Sequence, residues 1–333
     1  MKALVIHRYG TNDVVSLEDV PDPAVRPRDV LIETHAASVN PVDFKLRSGK
    51  LKAVRAFDFP IILGCDVSGV VRQVGAEVAK FKPGDAVFAS LENDRLGAFA
   101  ERVAADESVV AKKPASLDHE AAAAIPLVGL TSWQALAEHG KVGTGSKVLI
   151  HAGAGGIGTI AIQIAKRLGA HVATTTSTKN VELVKSLGAD TVIDYTKQDF
   201  SRVISDYDVV FETLGGDVEI RSFDVLKMGG IMVSIAGLPD APWAKANGMG
   251  LVIVFALRLM TWRRTRTATR RGVHFVFFLK RSDGAQLAML ASLADQGRLK
   301  PIVDKVYRFE DAKDALAFVE SGRARGKVVI KVT

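Results

Sequence analysis

A short apolar strand, Val148–His151, runs directly into Gly153-x-Gly155-x-x-Gly158, and a helix-forming stretch reaching Leu168 follows. No other segment of the 333 residues restricts the fold so tightly. Glycines in a turn between strand and helix allow a sharp reversal, close approach of backbone to a ligand, and close packing of helix on strand. The free N–H groups and positive dipole end of the following helix then suit a pyrophosphate. The expected dinucleotide contacts are therefore Gly153, Gly155, Gly156, Ile157 and Gly158.

The surroundings supply the context that the motif needs. Beyond it, strand-like and helix-like runs alternate: HVATTTS, KNVELVKSLG, TVIDY, DVVFETLG and GGIMVSIAG. That alternation predicts βαβ units on a doubly wound parallel sheet. The first 110 residues read differently, as short β-branched runs punctuated by Pro21-Asp22-Pro23 and Pro83-Gly84-Asp85. Such spacing predicts a small barrel or sandwich. An Ala-rich stretch from Asp118 has helical period despite Pro126. Near the end come an apolar strand, VHFVFFL (273–279), an amphipathic helix, and a final strand, GKVVIKV.

The second strand of the nucleotide region points to the cofactor. NAD sites place an acid about 20 residues after the glycines, on the ribose 2′-hydroxyl. Residues 172–180 contain no carboxylate, and Ser177, Thr178 and Lys179 are donors suited to a 2′-phosphate. The pattern predicts NADPH, the alternative being that Lys179 is an ordinary helix-start lysine.

Charge and cysteine content bound the other classes. The net charge is +7, and the six arginines between Arg258 and Arg271 account for all but one of those charges. The basic character is one patch and not a field over the whole chain, which argues against nucleic acid as the partner. Beside it, LVIVFALRLM (251–260) is too short for a spanning helix of about 20 residues. We expect it to be a buried or interface helix, the alternative being attachment to a membrane surface. The N-terminal MKALVIHRYG reads as a strand and not a signal peptide, and the expected location is cytoplasmic. One cysteine, Cys65, excludes an intramolecular disulfide and a multi-cysteine metal cage. Cys65 reads as a small buried hydrophobe, and His35, His119 and His151 as structural residues.

SVNPVDFKLRSG (38–49), LGCDVSGVV (63–71), VGAEVAKFKPGDAVFA (74–89), AGAGGIG (152–158), VKSLGADTVIDY (184–195) and GKVVIKV (326–332) occur in this order. Together they resemble the medium-chain dehydrogenase/reductase superfamily, in its zinc-free quinone oxidoreductase (zeta-crystallin-like) and alkenal/enone reductase branch. The resemblance spans essentially the whole chain and is loosest over 241–272. It implies an α/β chain with a GroES-like β-rich catalytic domain, 1–122 with 284–333. A Rossmann NADP-binding domain is implied over 123–283.

The resemblance also implies residue roles. Asn40 and Lys45 are expected at the nicotinamide and substrate cleft, Lys45 to balance the cofactor's charge or polarise the acceptor carbonyl, the alternative being a surface lysine on a short helix. Thr131, Tyr195, Ala236, Gly237, Arg325, Gly326 and Lys327 are expected against the cofactor. In zinc-dependent relatives a cysteine stands near the place of Asn40, and Gly-His-Glu stands where Gly64-Cys65-Asp66 is found, so no metal is expected. Some relatives carry a tyrosine after the first motif. Here KLKAVRAFDFP offers Phe57 and Phe59, so no proton donor is assigned and solvent protonates the product. The implied activity is hydride transfer from NADPH to a quinone or an α,β-unsaturated carbonyl, in a homodimer paired through the VHFVFFL edge. The alternative is an NADPH-binding sensor or scaffold without significant turnover.

Overall fold

The computed structural model describes all residues except 53–56 and 93–94. Its contacts divide the chain into two units, Met1–Leu130 with Arg281–Thr333, and Thr131–Lys280. The first boundary falls later than the expected 122/123. Gly129 lies in the helix Pro126–Trp133, and a Cβ on it would sit 2.8 Å from Leu290 Cδ1, so this turn packs within the first unit.

The first unit is built around the long strand Asp29–Val39, whose β-branched run pairs antiparallel with Asp66–Val74, Arg102–Asp106 and Lys327–Lys331. The seven-stranded sheet continues through Ala86–Ser90 to Val110–Lys112 on one side and to Val303–Arg308 on the other. A smaller sheet joins Lys2–Ile6 to Val15–Asp19 and Ile61–Ile62. Gly69 stands where two strands pass at a register shift: a Cβ there would lie 1.9 Å from Glu33 O. Ile32, Val67, Val87, Phe99, Leu316 and Ile330 are among the core residues.

The second unit carries six parallel strands. Numbered along the chain as Lys147–Ile150, His171–Thr176, Thr191–Asp194, Tyr207–Glu212, Leu226–Ser234 and His274–Phe277, they lie in the order 3-2-1-4-5-6. That order is the dinucleotide-binding arrangement, with its switch point between the first and fourth strands. The helix Gly156–Arg167 starts beside that point. Pro126 does not interrupt a helix but begins one: His119–Ala123 ends first, and Pro126 opens the next.

Residues Leu251–Met260 form the expected helix, but it is not buried within the chain: only Leu257 on it is buried, and Leu251 and Val252 are 86% and 82% exposed.

Candidate active site

The glycine loop separates packing from ligand demands. A Cβ on Gly153 would meet Thr174 Oγ1 at 2.1 Å, and one on Gly158 would meet Ala152 O at 2.3 Å. Both are glycine because the protein leaves no room. Gly155 is different: its φ is −80°, and a Cβ would find only Ala152 O, at 3.3 Å. The protein itself presses on position 155 less than on 153 or 158, with one tight contact to a backbone oxygen and no other neighbour. Gly155, Gly156 and Ile157 are half-buried, at the N-terminus of a twelve-residue helix.

The remaining nucleotide-side residues gather at the C-terminal ends of the same strands. Ser177, Thr178 and Lys179 follow the second strand, Thr178 and Lys179 being exposed. Tyr195 follows the third strand and is exposed. Ala236 and Gly237 follow the fifth, with Gly237 at φ 72°. Thr131 opens this unit and is buried.

Three acids missed by sequence reasoning organise these strand ends. Thr178 Oγ1 donates to Asp194 Oδ2 at 2.6 Å, and Thr196 donates to Oδ1 through its N–H and its hydroxyl. These hydroxyls hold the Asp194 carboxyl down to about 2. Glu212 Oε1 accepts the N–H groups of Leu214 and Gly215 at 2.6 Å each, while Oε2 accepts Ser234 Oγ at 3.0 Å. Glu219 is buried against Arg264, whose Nη1 donates to Leu238 O at 2.8 Å and lies 3.6 Å from Glu219 Oε2. Burial pushes the Glu219 carboxyl up to about 7, against the pull of Arg264. The signal available in the sequence was an acid at or beyond the end of an apolar strand.

In the first unit a second site forms around Asn40, which caps the helix Pro41–Arg47 in a capping box with Asp43. Lys327 Nζ is buried and donates to Asn40 Oδ1 and to Val39 O, the latter at 3.0 Å. Asn40 Nδ2 donates to Asp66 Oδ2 at 2.9 Å and to Ser38 O at 3.1 Å, and lies 3.5 Å from Cys65 Sγ. Asp66 also accepts Ser38 Oγ and the Leu127 N–H. Asp43 accepts the Asn40 N–H at 2.7 Å, and burial pushes its carboxyl up to about 7. Burial pushes the Lys327 ammonium down, with Asp66 and Asp43 opposing the shift.

This geometry bears on the metal. Asn40, Cys65 and Asp66, at or beside the places where zinc-dependent relatives carry ligands, surround an ammonium: Lys327 Nζ lies 3.7 Å from Asp66 Oδ2. A cation of the chain's own already faces the carboxylate, and Asn40 turns its amide hydrogens toward Asp66 and the sulfur. The donor set does not fit a zinc ion.

The implied substrate residues are placed differently from one another. Asn40 is buried with its amide hydrogens engaged, whereas Lys45 is exposed on the outer side of the same helix. Arg325 is exposed and its N–H donates to Asp304 at 2.9 Å. Gly326 is held at φ 73° beneath Ile302 O. Cys65 is buried, as expected. His151 is buried between Thr175 Oγ1 and Ser222 Oγ, and desolvation takes it down to about 3. His119 meets Ser68 Oγ at 2.8 Å and stacks on His35; burial takes it down to about 4.

Residues 26–115 match the family described as alcohol dehydrogenase GroES-like domain, and residues 187–330 match the one described as zinc-binding dehydrogenase. Among curated proteins, the mitochondrial NAD(P)H oxidoreductase RTN4IP1 of Danio rerio is 34% identical, over 100% of this chain and 91% of its own length. The 2-methylene-furan-3-one reductase of Solanum lycopersicum is 36% identical, over 99% of this chain and 79% of its own. Among solved structures, the quinone oxidoreductase from Coxiella burnetii is similar with a TM-score of 0.87 and 34% identity. That likeness covers 100% of this chain and 99% of the other.

Proposed function

The chain belongs to the medium-chain dehydrogenase/reductase superfamily, in its quinone oxidoreductase and alkenal reductase branch, and from that premise we propose an NADPH-dependent, zinc-independent reductase of quinones or α,β-unsaturated carbonyls. The observation that carries this reading is the glycine loop on the switch point of the sheet: Gly155, where a Cβ would press on Ala152 O alone, stands at the N-terminus of a twelve-residue helix. NADPH, when bound, supplies a hydride, which such acceptors disperse onto their oxygens without a metal.

The residues act around that event. Gly153 and Gly158 fix the loop, and the N–H groups of Gly155, Gly156 and Ile157 receive the pyrophosphate. Ser177, Thr178 and Lys179 take the 2′-phosphate, with Tyr195 beside the adenosine ribose. Thr131, Ala236 and Gly237 face the nicotinamide, and Arg325 reaches the cofactor from the Arg325–Gly326–Lys327 stretch. Lys45 polarises the acceptor carbonyl; Asn40, its donors engaged, acts by capping the helix that carries Lys45. Solvent protonates the product. The single cysteine supports zinc independence, since a Cys₂His site needs two.

By function, the expected domains are 1–122 with 284–333 for catalysis and 123–283 for NADP binding, a division that differs from the contact boundaries at 130/131 and 280/281. We also propose a cytoplasmic homodimer. The dimer rests on the apolar edge strand His274–Phe277, paired on one side only, to Leu226–Ser234. Light scattering tests it, a monomer at micromolar concentration overturning it. Relatives named for the mitochondrion or chloroplast set the counter-expectation on location, which fractionation decides.

The activity is tested by NADPH consumption, beside NADH, with a benzoquinone, an enone, an enal and a simple aldehyde. Turnover with quinone or enone but not aldehyde is expected. Tight NADPH binding with silence across the panel would favour a sensor.

A further inference from the structure

From the helix pair Leu251–Met260 and Trp262–Arg271, we propose that this protein docks reversibly on anionic lipid surfaces. Leu257, Thr261, Arg264 and Ala268 are buried, at spacings of four, three and four residues. They form one inward seam along both helices. The residues opposite that seam divide in two. Leu251, Val252, Phe255 and Leu259 are exposed on the first helix, and Arg263, Arg266 and Arg270 on the second. An exposed apolar helix face followed by a guanidinium row matches acyl chain and headgroup in turn.

The charges are available for such a partner. Residues 251–271 contain no acid. Arg271 pairs with Asp224 and Arg264 is buried, but among the described residues no ion pair engages Arg258, Arg263, Arg266 or Arg270. Arg266 lies over the Trp262 ring, 5.0 Å from its centroid, at the junction of the apolar and basic parts. Amphipathic Trp–Arg pairs suit the interfacial layer.

Charge also decides among occupants. A second copy meeting this face across a two-fold axis through the basic helix would set arginine against arginine, and one across an axis through the apolar helix would leave the arginines without an anion. Nucleic acid would satisfy the arginines and leave four large apolar side chains in water. An anionic bilayer satisfies both halves, and a ten-residue helix lies on it and does not cross it.

The test is co-sedimentation of the full chain with phosphatidylglycerol–phosphatidylcholine vesicles and with phosphatidylcholine alone. Binding to the anionic vesicles only, weakening with salt, is expected. The triple variant Arg263→Glu, Arg266→Glu, Arg270→Glu should lower partitioning more than about tenfold. The double variant Val252→Ser, Phe255→Ser should also lower it, at low salt. Both change exposed side chains, so unchanged melting temperatures are expected and certify folding. Equal binding to both vesicles, no binding to either, or variants that bind like the parent would overturn the proposal. So would tighter binding to duplex DNA at the same salt, or loss of a solution oligomer in the same variants, which would assign the face to a second copy.

Discussion

Lys327 and Asn40, 287 residues apart in the chain, are joined by a buried hydrogen bond from the ammonium to the side-chain carbonyl. That bond fixes which way the amide points: with its oxygen on Lys327, its nitrogen faces Asp66, Ser38 O and the Cys65 sulfur. The last strand of the chain therefore orients the cap of the helix that carries Lys45.

Lys327→Met should be destabilising by about 3–5 kcal/mol, because it leaves the Asp66 carboxylate buried without a cation. Adding Asp66→Asn to that variant should recover most of the loss. A double-mutant cycle by urea denaturation measures the coupling. Strictly additive effects would mean that the pair does not act as one.

Asp43 gives the stability of this unit a pH dependence. Its carboxyl moves from 3.8 to about 7, because burial disfavours the charged form. Between those values the folded state binds the extra proton. The contribution is therefore fully present below pH 3.8 and is lost as pH rises through about 7. Asp43→Asn should remove this loss, so its stability relative to the parent should rise by on the order of 2–4 kcal/mol from pH 4 to pH 8. Parallel curves for the two proteins would show that Asp43 does not titrate in this range.

Much of this architecture was legible in the sequence. The long run DVLIETHAASV and the alternation beyond Gly153 are period signals, and both became strands or βα units where expected. The strands VSLED and VDKVYR were not read, since both are charged; the second lies at a sheet edge, where charge is tolerated. The Asn40–Lys327–Asp66 network was hidden because its members come from opposite ends of the chain. Asp194 was hidden because it lies not on the second strand but on its neighbour, where Thr176 pairs with it. The apolar run 251–260 was legible as a helix, but hydrophobicity alone does not state whether this chain or a partner covers it.

The three motif glycines should respond unequally to alanine. Gly158→Ala puts a Cβ 2.3 Å from Ala152 O and 2.6 Å from Gly153 Cα, both backbone, and should cost about 2–3 kcal/mol of stability. Gly155→Ala has an allowed φ and only one neighbour, so it should fold within about 1 kcal/mol of the parent. Its NADPH affinity should nevertheless fall about tenfold or more, as a methyl group meets the phosphates. Thermal melts and fluorescence titration separate the two effects. Unchanged affinity in Gly155→Ala would remove the main support for the loop as the phosphate site.

Arg264→Met should destabilise in a pH-dependent way. Without Arg264, burial acts on Glu219 unopposed, and its carboxyl, already near 7, rises further. A raised carboxyl loses stability as pH increases through the folded value, so the penalty should grow from pH 6 to pH 9. Chemical denaturation at the two pH values checks this; a constant penalty would assign the loss to the bond to Leu238 O and the packing on Phe275, 4.1 Å from the guanidinium.

The choice between the two cofactors turns on a balance of charges at the ends of the second and third strands. Asp194, held ionised by Thr178 and Thr196, opposes a 2′-phosphate; Lys197 lies 3.5 Å from its Oδ2 and offsets part of that charge. Lys179 is exposed and no carboxylate among the described residues pairs with it, so it is the cation left to meet the phosphate. A charge-assisted bond of this kind contributes about 1.5–3 kcal/mol. Lys179→Ala should therefore raise the NADPH dissociation constant about tenfold or more while moving that of NADH by less than about twofold. Asp194→Asn should shift the ratio the other way, toward NADPH. Titrating both cofactors into both variants gives four numbers. Equal losses for NADPH and NADH in Lys179→Ala would mean that the lysine meets a group common to both, and the preference would have to come from Ser177, the Thr178 hydroxyl being engaged by Asp194.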